Sequence, residues 1–163
     1  MKLIVLGTLA VLTAAPLAWS AERLTPAEFV MKASEAGTAE VELGKLAADK
    51  GAAPQVKNFG QRMVSDHTKA GAELEAIAGK KGLAASKQLN PKHMKALEDL
   101  RGKSSNDFDS AFAKQMVMDH NEAVALFTQA SALPDADLAA FAKKTLPTLK
   151  EHQQMAAHLD MKH

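Results

Sequence analysis

Histidine is the side chain best suited to chemistry near neutral pH, and two of the six histidines here end near-copies of one motif. Phe59-Gly-Gln-Arg-Met-Val-Ser-Asp-His67 and Phe112-Ala-Lys-Gln-Met-Val-Met-Asp-His120 both place Phe, Met and His at i, i+4 and i+8. Residues four apart share a helix face, so each stretch carries a Phe-Met-His ladder on one side. Two such ladders predict a pseudo-symmetric helical bundle with polar, metal-capable groups at its centre.

Placing residues at 100° intervals extends the pattern to two further helices. Phe29, Ala33, Ala36, Glu40, Leu43 and Ala47 form one stripe, and Leu138, Ala142, Thr145, Leu149, His152, Ala156 and Leu159 another. Each long helix therefore puts one ionisable residue near the middle of its apolar stripe: Glu40, His67, His120 and His152. Burying such groups is costly unless they are paired, so their meeting at one depth is the main functional lead.

Three imidazoles and a carboxylate would hold copper, iron, zinc or manganese; nitrogen and oxygen donors do not choose among them. Asp66 and Asp119, at the stripe edges, are placed to bond a histidine of a neighbouring helix and fix its tautomer. Met63 and Met116 lie one turn below the histidines and would tilt preference toward copper(I) if they point inward with them. The same layer also reads as a satisfied hydrogen-bond network that sets helix register without a metal. On that reading the methionines are core filler. A second group, His152, Met155, His158, Met161 and His163, falls near a chain end and mostly off the stripe, as a solvated tail would. His93 and Met94 are expected on the surface.

Local signals define the elements that must position these residues. Thr25-Pro-Ala-Glu28 is a capping box with proline at the first helical position, and the helix runs to Lys50-Gly51. Pro54 opens a second helix that ends at Lys80-Lys81-Gly82. Asn90-Pro91 starts a short one that stops at Arg101-Gly102. Ser104 or Ser105 caps a long helix ending near Ser131, and Pro134-Asp135 opens the last, which runs to about Asp160 with a kink expected at Pro147. Tight connections make the first and last pairs antiparallel hairpins. The long stretch from Leu83 to Lys103 can cross the bundle, with a simple up-down bundle as the competing topology.

Residues 1–21 read as an export signal: Lys2, an apolar run from Leu3 to Leu17, then Ala18-Trp-Ser20 as a small-residue cleavage site. Residues 22–163 then form a single domain. The chain has 20 basic and 19 acidic residues, and loss of Lys2 leaves 19 of each. That balance predicts no nucleic-acid binding and no strong membrane binding after cleavage. There is no cysteine, which excludes disulfides, thiolate metal sites and cysteine nucleophiles. The absence of Tyr and the low aromatic content favour helices over a sandwich or barrel. No Gly-rich phosphate loop or serine elbow is present.

The segments Ala39-Glu-Val-Glu-Leu-Gly-Lys-Leu-Ala47, Phe59 to His67, Met116 to His120 and Leu146-Pro-Thr-Leu-Lys-Glu-His152 together resemble the exported bacterial ferritin-like family known as domain of unknown function 4142. The resemblance spans nearly the whole mature chain. It implies a ferritin-like four-helix bundle, in the periplasm or associated with the envelope; with the helix signals above, the fold expected is all-α, with a short extra helix in the crossover between helices 2 and 3. It implies no reaction. Di-iron carboxylate enzymes carry Glu-x-x-His pairs on two helices, whereas Val64, Val117 and Leu149 stand three before the histidines here. Ferroxidase chemistry therefore does not transfer from the fold.

The sequence thus reads as a non-enzymatic periplasmic protein that binds a transition metal through Glu40, His67, His120 and His152. Asp66, Asp119, Met63 and Met116 would support those ligands. The alternative is an envelope stress or interaction module whose polar layer is structural, with an envelope protein or a second copy of the chain as partner. A redox enzyme with an unusual metal centre ranks third.

Overall fold

The computed structural model describes residues 23–161. The signal-like segment 1–21 and His163 lie outside the described residues. Within them the chain forms five helices and no strand: α1 (Pro26–Lys50), α2 (Pro54–Lys80), α3 (Pro91–Arg101), α4 (Ser105–Ala130) and α5 (Ala136–Asp160). The helix starts follow from the caps. Thr25 and Glu28 exchange both bonds of a capping box, and Asn90, Ser104 and Asp135 cap α3, α4 and α5 through their side chains.

α2 has Ala53 at its cap position and no side-chain cap of its own. Asp109 of α4 serves instead. Its two carboxylate oxygens accept from the backbone N–H groups of Ala52 and Ala53 at 2.9 and 2.7 Å, in a setting where Asp109 is only 2% exposed. This places an acceptor at the positive end of α2 and ties the α1–α2 turn to α4.

α1 packs along α2 and α4 along α5, while α1 also meets α4 and α2 meets α5. One apolar core joins Leu43 and Ala47 late in α1 and Ala156 and Leu159 late in α5 to Phe59 and Met63 early in α2 and Phe112 and Met116 early in α4. The other joins Phe29, Leu138 and Phe141, early in α1 and α5, to Leu74 and Phe127, late in α2 and α4. Thus α1 and α5 run one way, and α2 and α4 run the other. Leu83 and Ala85 pack on the second core and Leu97 and Leu100 on the first, so the stretch from α2 to α4 travels the length of the molecule. Each fully buried Phe or Leu contributes roughly 1.5–3 kcal/mol. These two cores, rather than helix propensity, set the arrangement.

The two ladders face each other rung by rung. The Phe59 and Phe112 rings lie 6.2 Å apart and the His67 and His120 rings 5.8 Å apart, with Met63 and Met116 both fully buried between those rungs. α5 continues helical through Pro147, and Leu149, His152, Ala156 and Leu159 stay buried in one stripe.

Glycine permits a close α1–α2 crossing. A Cβ at Gly44 would lie 2.7 Å from the Gly60 carbonyl oxygen, and one at Gly60 would lie 2.6 Å from that of Gly44. His93 departs from its expected surface position. It is 7% exposed, because α3 lies against α1 and α4 with His93, Leu97 and Leu100 on its inner side. Met94 is exposed as expected. Among the described residues no helix is long and apolar enough to cross a membrane.

Candidate metal centre

Between the two apolar cores, α2, α4 and α5 bring His67, His120 and His152 together. Their ring centroids form a near-regular triangle of 5.8, 5.5 and 5.5 Å. One nitrogen of each ring lies within 4.8 Å of the corresponding nitrogens of the other two. Nitrogen ligands sit about 2.0–2.1 Å from a zinc-sized ion, so modest ring movements bring all three onto one ion.

Hydrogen bonds set the direction in which the lone pairs point. His120 Nδ1 is 2.9 Å from the Met116 carbonyl oxygen, which can only accept, so that nitrogen carries the proton. His152 Nε2 donates to Asp66 Oδ2 at 2.9 Å. These bonds leave His120 Nε2 and His152 Nδ1 with lone pairs, and both atoms are buried without a partner, as is His67 Nε2. His67 as a whole residue is only half-buried, and it lines the grooves on either side of α2.

Burial also holds the rings in their ligating form. It pushes His67 well below the usual histidine range, with repulsion from His120 and His152 adding to the effect. It pushes His120 to about 4, against the opposing bond to Met116. His152 moves down as well, though Asp66 opposes the shift. Three neutral imidazoles bind a cation without first releasing protons. Three buried ring nitrogens without a protein partner, His67 Nε2, His120 Nε2 and His152 Nδ1, thus belong to rings whose centroids lie 5.5–5.8 Å apart.

The expected supporting residues divide. Asp66 does bond a histidine of a neighbouring helix, and Arg62 holds it in turn, with Arg62 Nε 3.3 Å from Asp66 Oδ2 and a second contact to Glu151 at 2.7 Å. Asp119 instead accepts from Gln115 at 2.8 Å and lies 3.9 Å from Lys92, bonding no histidine of the centre. It sits one position before His120 and points the other way, toward α1 and α3.

Glu40 is buried but not part of the 4.8 Å group, which comprises the three histidines alone. Its carboxylate lines a cavity of about 40 Å³ together with His67, His120 and Thr145, and Oε2 has no partner. Burial pushes Glu40 well above the usual carboxylate range, with Asp119 adding repulsion. Met63 and Met116 are core residues of the adjoining apolar cluster. In the tail group, Met155 accepts from Arg62 at 3.5 Å, and Met161 is exposed.

The chain matches the family described as a domain of unknown function, DUF4142, over residues 12–159, and it belongs to that family. The crystal structure of a DUF305 fragment from Deinococcus radiodurans is similar, with a TM-score of 0.71 at 15% identity over 87% of this chain and 100% of that one. At that identity the likeness shows the fold alone. Among curated proteins none matches the chain.

Proposed function

We propose that this protein binds one transition metal ion in the core of an exported, ferritin-like four-helix bundle. His67, His120 and His152 are the ligands. Two observations carry this reading: one nitrogen of each ring lies within 4.8 Å of the others, and each ring has a buried nitrogen without a protein partner. Three protein ligands leave a fourth position open, as in catalytic rather than structural zinc-type sites. Glu40 lines the same small cavity as His67 and His120 and is suited to hydrogen-bond a molecule held there. Asp66 orients His152 and raises its basicity, the usual role of a carboxylate behind a ligating imidazole. Copper, zinc, iron and manganese all remain compatible with the donor set. The antiparallel neighbours and long crossover support the ferritin-like wiring. The signal-like residues 1–21 support a periplasmic location.

The test is the metal content of untagged mature protein from the periplasm beside a His67→Ala/His120→Ala variant, with circular dichroism to show that both are folded. About one ion per chain, lost in the variant, is the expected result. No metal in either, with no thermal shift on adding copper, zinc, iron or manganese, would leave the layer a packing device.

A further inference from the structure

α1 and α2 touch closely at one level and stand apart at another. Gly44 and Gly60 are required by sterics, since a Cβ at either would meet backbone at 2.6–2.8 Å. Seven residues back along α1 and seven forward along α2, Gly37 comes level with His67. Here a Cβ at Gly37 would meet nothing within 4 Å, and the same holds for Gly71 one turn further on. Glycine inside a helix costs roughly 0.5–1 kcal/mol relative to alanine. Packing therefore gives no reason for either residue.

Both glycines stand between two spaces. Gly37, Gly71 and His67 line a surface groove of about 370 Å³ between α1 and α2, and the same three residues line the inner cavity of about 40 Å³. That cavity is also lined by two buried residues that carry unpartnered atoms, His120 (Nε2) and Glu40 (Oε2), which are 1% and 5% exposed. We propose that the α1–α2 groove is a window through which a small uncharged molecule of two or three heavy atoms reaches the open position of the metal centre, with Gly37 and Gly71 keeping it clear. The proposal rests on the metal reading above and names the class of ligand that the centre admits.

Size and polarity select that class. The cavity exceeds the roughly 10–15 Å³ that one water needs and falls far short of the roughly 300 Å³ of a drug-sized site. Its walls include Ala33, Ala70, Leu74, Phe127 and Leu149, and no Lys or Arg lines it. An anion would shed its hydration there without a cationic partner. The α2–α5 groove carries more charge: Arg62, Asp66, Lys69, Glu73 and Lys144 line it beside His67 and His152, against Glu42, Glu75 and Lys87 in the α1–α2 groove, so it is the better route for water and ions.

Nitric oxide binding to the Co(II)-loaded protein, followed by stopped-flow visible absorption, tests the window. Gly37→Leu/Gly71→Leu plugs it, and Thr148→Leu narrows the α2–α5 groove as a control. The plugged variant should bind nitric oxide about tenfold more slowly, equivalent to roughly 1.4 kcal/mol on the barrier, with Co(II) affinity unchanged. The Thr148 variant should match wild type. Equal rates in the plugged and wild-type proteins, both Co(II)-loaded, would overturn the window and leave the metal reading intact. Failure of wild type to take up Co(II) would overturn the metal reading and the proposal with it. Xenon supplies a second readout on the metal-free protein. It should shift the methyl resonances of Ala70 and Leu149 saturably in wild type, and no shift there would overturn the window whether or not the plugged variant folds.

Discussion

His152 on α5 donates from Nε2 to the Asp66 carboxylate on α2 at 2.9 Å, and its other nitrogen, Nδ1, is buried without a protein partner in a ring 5.5 Å from those of His67 and His120. On the proposed metal reading, Asp66 acts on the ion through the ring it orients. Asp66→Ala should lower metal affinity about 10- to 100-fold while leaving the stoichiometry at one. A competition titration against a chelator measures this. Unchanged affinity would show that His152 needs no such orientation.

The histidines also make stability depend on pH. His120 is held at about 4 in the folded chain against an ordinary value of 6.5, so between those pH values the unfolded chain binds the extra proton. Metal-free protein should lose stability as pH falls from about 6.5 toward 4, by up to roughly 1.4 kcal/mol per pH unit for this residue. Glu40 acts oppositely: its raised carboxyl adds stability below its ordinary value of 4.5, which is lost as pH rises. Comparing urea unfolding of wild type and His120→Gln across pH 4–7 isolates the histidine. The variant should show the shallower slope, and parallel profiles would contradict the burial account.

Four glycines provide a test by sign. Gly44→Ala and Gly60→Ala force a Cβ onto backbone at 2.6–2.8 Å and should destabilise by about 1–3 kcal/mol. Gly37→Ala and Gly71→Ala meet open space and should stabilise by about 0.5–1 kcal/mol each. Denaturant midpoints at fixed m-value decide the matter, and destabilisation at Gly37 or Gly71 would mean that those sites are tighter than the geometry shows.

Asp109 caps α2 from another helix, so its loss strands the two backbone N–H groups of Ala52 and Ala53 in a part-buried setting. Asp109→Ala should cost about 1–3 kcal/mol. Asp109→Asn, which retains one acceptor, should cost less. Thermal unfolding compares the two, and equal losses would show that the one acceptor Asn retains contributes little.

Much of this was legible because local signals and tertiary packing agree. The Thr25–Glu28 box, Pro54, Asn90-Pro91, Ser104 and Asp135 mark helix starts through chemistry confined to one turn. The 100° stripes placed Glu40, His67, His120 and His152 inward, since a helix buries whichever face is apolar. Angular position alone could not fix depth, and so Glu40 faces the cavity rather than joining the 4.8 Å histidine group. Nor could it fix partners: Asp66 and Asp119 occupy equivalent motif positions, yet α5 supplies His152 to one while α1 and α3 flank the other. His93 was misread because a short helix with a weak apolar face looks solvated until α1 and α4 are placed beside it. Asp109 was missed because its role depends on a turn more than fifty residues away.

Three imidazoles on one ion would be visible in X-ray absorption at the edge of the bound metal. The expected spectrum has three imidazole ligands with nitrogen at about 2.0–2.1 Å, their outer-shell scattering reduced in His67→Ala. A bound metal without imidazole scattering, or with the same ligand count in that variant, would contradict the three-imidazole site.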